Sequence, residues 1–192
     1  MSPVNTGIII VNVLVFLYML LLGDIGNLQY MYTHGANFWP DVFENHEYYR
    51  LLSCAFIHFD LQHIFNNMLV LAFVGDNLER ALGKVKYLIL YLAAAVCASL
   101  ASDVWFMIKG SYGISGGASG AVFGVVGALL VIVIRNRGRL EDISSRQLML
   151  FAGFSIYHGV TSAGIDNAAH LGGFLTGALL GLLLYRKRRR SY

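Results

Sequence analysis

Six apolar runs punctuate this chain, over residues 7–22, 61–74, 87–108, 116–134, 148–160 and 168–185, and no other feature restricts its fold as much. A helix needs about 20 apolar residues to cross ~30 Å of hydrocarbon. Several runs are shorter, so they take in flanking residues or sit in a locally thinned bilayer. Of the 192 residues 57% are hydrophobic and 13% charged, with a mean hydropathy of +0.61; soluble domains run at about 45–50% and about 25%. That is too little polar surface to clothe a water-soluble globule, and too little charge for a disordered chain. The first run has no basic segment ahead of it and no small-residue cleavage site behind it, so it reads as a span and not as a signal peptide.

The basic residues test the count of six. Arg80, Lys84 and Lys86 lie between the second and third runs; Arg135, Arg137, Arg139 and Arg146 lie between the fourth and fifth; Arg186 to Arg190 follow the sixth. Twelve of the fourteen basic residues thus share one side, leaving Arg50 and Lys109 opposite. The positive-inside rule makes that side cytoplasmic, with both termini on it. The expectation is an all-α, polytopic membrane protein: one compact six-helix bundle over residues 1–192. No tandem repeat, low-complexity tract or interdomain linker divides it. The basic tail reads as a topology anchor touching anionic lipid, so membrane lipids and not nucleic acid are its partner. The external connection over residues 23–54 carries Tyr30, Tyr32, Phe38, Trp39, Phe43, Tyr48 and Tyr49, and part of it is expected to lie in the outer interface.

Polar side chains inside a span cost several kcal/mol unless partnered or wetted, and three clusters stand out. His63 and Asn67, four apart at the outer start of the second span, share a helix face. Both carry hydrogen-bond donors, and two stacked donors suit a developing oxyanion. Capping and interhelical bonding is the structural alternative. His58, Asp60 and His63 are metal-ligand types but lack the His-Glu-x-x-His spacing of a zinc helix, and no cofactor or metal is implied. Ser119 opens the fourth span within Gly116-Gly117-Ala118-Ser119-Gly120, where unsatisfied N–H groups favour negative charge; simple small-residue packing is the alternative. His170 opens the sixth span and shares a face with Gly173 and Gly177. Gly120 and Gly124 offer a matching smooth face. If those faces meet, Ser119 comes beside His170 as nucleophile and base. All three clusters fall at outer span ends, and together they meet the requirements of acyl transfer. Asp103 and Asp166 are possible orienters of the histidine, but no acidic third member is obvious, and the reading is a Ser-His dyad. Cys54 and Cys97 have no neighbouring base and read as core packing.

These residues resemble the rhomboid family of intramembrane serine proteases. Gly117-Ala118-Ser119-Gly120 is similar to its Gly-x-Ser-Gly, and His170 with Gly173 and Gly177 to its His-x-x-Gly-x-x-x-Gly. His63 to Asn67 resembles its His-x-x-x-Asn, and Glu79 to Gly83 its cytoplasmic turn. The resemblance implies Ser119 as nucleophile and His170 as base. It implies an oxyanion hole of His63, Asn67 and the Ser119 backbone N–H, a structural His58, and an Arg50 that braces the first loop. Two departures are Tyr49 in place of a tryptophan before Arg50, and Phe123 where a tyrosine is common. The resemblance further implies cleavage of single-pass transmembrane proteins that enter sideways near spans two and five, with a small residue before the scissile bond in a locally unwound segment. It also implies a minimal six-span bacterial form in the cell membrane. Residues 160–167 are expected to cap the site. A non-catalytic helix-binding scaffold and a transporter are the rival readings.

Overall fold

The computed structural model describes residues 2–140, 143–144, 146–150 and 166–186. The long helices are α1 (Pro3–Leu22), α7 (Lys84–Lys109), α8 (Ser119–Arg135) and α9 (Asn167–Leu184). Short helices α2 (Leu28–Thr33), α3 (Trp39–Phe43) and α4 (Arg50–Ser53) fold the first connection. Between it and α7, α5 (Leu61–Val70) runs through a wide π-turn, Leu71–Gly75, into α6 (Asp76–Leu82). Among the described residues three helices, α1, α7 and α9, are long and apolar enough to cross a membrane, and α8 is a shorter apolar helix. The expected fifth run, 148–160, lies outside the described residues beyond 150, as do most of the expected cap, 160–167, and the tail beyond Arg186. The all-helical expectation has one small exception, a two-residue antiparallel pairing of Arg139–Leu140 with Ile143–Ser144.

The packing follows from where the small residues stand. α8 is apolar on every side, and a helix of that kind belongs in the interior: Val125, Val126, Leu129 and Ile132 are fully buried there, against α7 and α9. α9 instead buries a stripe of Gly173, Gly177 and Gly181 and leaves Leu171, Leu175, Leu179 and Leu183 outward. α1 likewise exposes Leu14, Tyr18 and Leu21. That inside-out distribution suits lipid as solvent, because hydrocarbon gives leucine no reason to hide and close packing of small residues drives association.

Two polar seams fix the end of the bundle away from Ser119. Glu79 accepts the N–H groups of Val4 and Asn5 at 3.2 and 2.7 Å, closing the start of α1. Asn5 donates to the Leu71 carbonyl at the π-turn, 2.8 Å, and accepts from the Tyr87 hydroxyl, 2.6 Å. At the far end of α9, Lys86 donates to the Leu184 carbonyl and Arg135 to that of Leu182, each at 2.9 Å; cations there also suit the helix dipole.

The first connection is built around Arg50, which is 4% exposed. Its guanidinium reaches Asp41 at 3.5 Å, Glu47 at 2.5 Å and the carbonyls of Tyr32 and Ala36 at 2.8 Å each. The expected brace is therefore present, with Tyr32 and Tyr49 rings against the cation.

Candidate active site

The nucleophile-type residue is delivered by a loop with little freedom. Ser115 pairs with Asn37 through backbone bonds of 3.0 and 2.8 Å, and the Gly117 N–H reaches the Cys54 carbonyl at 2.9 Å. Gly117 has φ +129°, and a Cβ there would stand 2.5 Å from the His63 ring. Backbone conformation and lack of space both require glycine. The Ala118 N–H turns to His58 Nε2 at 3.3 Å. The next N–H belongs to Ser119 itself, in the first turn of α8, where the helix offers it no carbonyl.

The glycine faces of α8 and α9 do meet. Added Cβ atoms on Gly173 and Gly177 would lie 2.0 and 1.8 Å from the carbonyl oxygens of Gly120 and Gly124. This backbone-to-backbone approach puts His170, one turn above Gly173, at the start of α8. Its Nε2 lies 2.9 Å from Ser119 Oγ. The ring is stacked on Phe123, centroids 4.2 Å apart and planes 13° from parallel. Phe123 holds the imidazole flat without the hydroxyl a tyrosine would add.

The second-span cluster lies across from this pair. Asp60 caps α5 by accepting the His63 N–H at 2.7 Å. His63 lies over Gly117 and meets the His58 ring edge-on, centroids 5.1 Å apart. Asn67 Nδ2 is 3.1 Å from His58 Nε2, which leaves its second amide hydrogen for another acceptor. His58 precedes α5, and burial, helped by the nearby His63, pushes its imidazole from 6.5 down to about 3. A neutral ring serves as acceptor for both Asn67 and Ala118, so one buried side chain orients an amide donor and the loop that carries Ser119. A cavity of about 40 Å³, lined in part by Cys54, Ser99, Ser115, Ser119 and Asp166, adjoins the serine; that is room for roughly one to a few waters.

Neither candidate orienter's carboxylate reaches the His170 ring, although the Asp166 main-chain carbonyl accepts the His170 N–H at 3.1 Å. Asp166 Oδ1 accepts the Ala169 N–H at 2.9 Å as the cap of α9, and Oδ2 accepts from the Ser102 hydroxyl. Asp103 is held by Asn37 Nδ2 at 2.6 Å. His170 Nδ1 has no partner among the described residues. Sequence reasoning passed over Ser102, Ser115 and Asn37. The one signal for them was the adjacent polar pair Ser102-Asp103 inside an apolar helix.

The Rhomboid domain profile matches residues 45–187. The chain is 34% identical over 152 residues to RHOMBOID-like protein 7 of Arabidopsis thaliana, covering 78% of this chain and 47% of that protein. It is 32% identical over 178 residues to Rhomboid protease GluP of Bacillus subtilis (strain 168), covering 91% and 34%. It is 32% identical over 143 residues to Inactive RHOMBOID-like protein 8 of Arabidopsis thaliana, covering 74% and 40%. The chain thus spans about half the length of these relatives or less. Arg50 itself and the glycine-faced helices that bring Ser119 to His170 fall inside the matched stretch, and this chain belongs to the rhomboid family of membrane proteins.

Proposed function

We propose that this chain is an intramembrane serine endopeptidase in which Ser119 is the nucleophile and His170 its base. The observation that carries the reading is the 2.9 Å contact between Ser119 Oγ and His170 Nε2 at the N-terminus of an otherwise apolar helix. A half-buried hydroxyl and imidazole in that relation form an activated nucleophile. His170 takes the Ser119 proton as Oγ attacks the scissile carbonyl. The tetrahedral oxyanion receives the Ser119 N–H, the second Asn67 amide hydrogen and a His63 ring N–H. Removal of one such donor costs roughly 2.7–4 kcal/mol of transition-state stabilisation. The imidazolium returns its proton to the departing amine. Water, for which the small cavity beside Ser119 has room, then hydrolyses the acyl-enzyme with His170 again as base.

The substrates are transmembrane segments of single-pass proteins that unwind locally, since a helical peptide bond is shielded by its own hydrogen bonding. Membrane lipids are the other partner. The chain forms one six-span domain over residues 1–192 with both termini cytoplasmic, in a bacterial plasma membrane. Relatives named as proteases and the loop charges support this reading.

The test uses wild type and Ser119→Ala in liposomes, with a fluorophosphonate probe and a single-pass reporter bearing Gly, Ala and Ser near its outer end. Wild type labels at Ser119 and cuts the reporter; the variant does neither, while its thermal stability is unchanged. Undiminished cleavage by Ser119→Ala ends the proposal. A wild type that binds the reporter without labelling or cutting is a scaffold, as the inactive relative's name allows.

A further inference from the structure

Two adjacent residues of α7 hold the two halves of the site. Asp166, the N-cap of α9, stands four residues before His170 and accepts from Ser102 of α7. Ser102 Oγ also lies 3.5 Å from Ser115 Oγ, in the loop that delivers Ser119. The neighbouring Asp103 accepts from Asn37 Nδ2 at 2.6 Å, and Asn37 is the backbone partner of Ser115. Ser102 and Asp103 are both buried, at 0% and 1% exposure, so the α7 side of these contacts is sheltered from water.

The need for such ties follows from the glycine seam. The α8–α9 contact runs along Gly120, Gly124, Gly173 and Gly177, backbone against backbone. Interlocking side chains set the axial register of an ordinary helix pair; here those positions carry none. Polar contacts at the ends of α9 are left to set its height. Lys86 and Arg135 hold the far end. Asp166 and Ser102 hold the end that bears His170.

We propose that Asp166 and Ser102 are positioning residues that set the depth of the His170 imidazole relative to Ser119, acting through the first turn of α9 and not on the ring. This rests on the protease reading above. A displacement of about 1 Å at reacting groups lowers a rate by roughly 10²-fold even when the mutated residue is remote. Ser102→Ala removes one oxygen and leaves the α9 cap intact, so it separates tethering from capping. Asp166→Ala removes both. Asp166→Asn keeps a capping oxygen and turns an amide toward Ser102, whose hydroxyl accepts as readily as it donates.

The experiment measures kcat and KM on the single-pass reporter in liposomes, the fluorophosphonate labelling rate per folded molecule, and thermal stability. Expected are a roughly tenfold to hundredfold fall in kcat and labelling rate for Ser102→Ala and Asp166→Ala with KM unchanged, and recovery of most of that loss in Asp166→Asn. A purely structural contact would lower thermal stability and leave kcat per folded molecule alone. Ser102→Ala at the wild-type kcat, or Asp166→Asn as slow as Asp166→Ala, overturns the proposal. A wild type that neither labels nor cleaves overturns the protease reading and this proposal with it; a labelled wild type with an undiminished Ser102→Ala overturns this one alone.

Discussion

Gly173→Ala puts the helix contact nearest His170 under direct test. A Cβ at residue 173 would stand 2.0 Å from the Gly120 carbonyl oxygen and 2.8 Å from its carbon. The tightest ordinary carbon–oxygen approach is about 3.3 Å. Both obstructing atoms are backbone in a buried helix start, so α9 itself must withdraw, by roughly 1 Å or more. His170 lies less than one turn away on the same face, and its 2.9 Å bond to Ser119 then stretches past the ~3.5 Å limit of a useful hydrogen bond. Overpacking of this kind costs about 1–3 kcal/mol of stability, which leaves folded protein to assay. The expected result is a loss of reporter cleavage and fluorophosphonate labelling of roughly 10²-fold per folded molecule. Leu171→Ala is the control: the side chain is 59% exposed on the outer face of α9 and should leave both rates near wild type. If Gly173→Ala labels and cleaves at the wild-type rate, the argument that backbone contact sets the Ser119–His170 distance is refuted.

Asn67→Ala deletes an amide donor and releases His58; kcat should fall by roughly 10²–10³-fold with little change in KM, read on the same reporter. Arg50→Ala leaves Asp41 buried without its cation, at a cost of about 3–5 kcal/mol, seen as a lowered Tm and as proteolysis within residues 23–54. Arg50→Lys should recover only part, because an ammonium cannot bridge Asp41, Glu47 and two carbonyls as the planar fork does. The His58 imidazole is depressed from 6.5 to about 3. Its neutral form is favoured by the fold, so its contribution is complete above pH 6.5 and is lost as pH falls toward 3. Tm should drop across that window more steeply in wild type than in His58→Gln, and equal slopes would show that His58 is not the group responsible.

The helices were legible because lipid and backbone chemistry leave few alternatives: an apolar run at membrane depth must satisfy its own N–H and C=O groups. The expected start at residue 7 moved out to Pro3 because Glu79, 76 positions after Pro3, caps the first N–H groups of α1. The second run extended from 74 to Leu82 because the π-turn carries the chain through Gly75 with its Leu71 carbonyl satisfied by Asn5. Both adjustments come from partners far away in sequence, which local hydropathy does not register. Arg50 is a similar case. Its bracing role was visible through the family resemblance, but its four partners, Tyr32, Ala36, Asp41 and Glu47, are spread along the connection ahead of it.

The site divides along the same line. Ser119 and His170 were legible because each stands at a helix start beside glycines spaced for close approach, and matching smooth faces imply contact before any coordinates are seen. What holds those faces in register was not legible, for the same reason. A glycine seam carries no side-chain pattern, so its alignment has to come from polar groups elsewhere, and Ser102 and Asp166 are 64 residues apart with no periodicity linking them. The two kinds of residue also answer perturbation differently. Changing a seam glycine forces the helices apart and costs packing, whereas trimming Ser102 leaves the packing whole and frees α9 to slide. Stability and turnover therefore separate at Ser102 and fall together at Gly173, and measuring both quantities on both variants distinguishes register from closeness as the determinant of the Ser119–His170 contact.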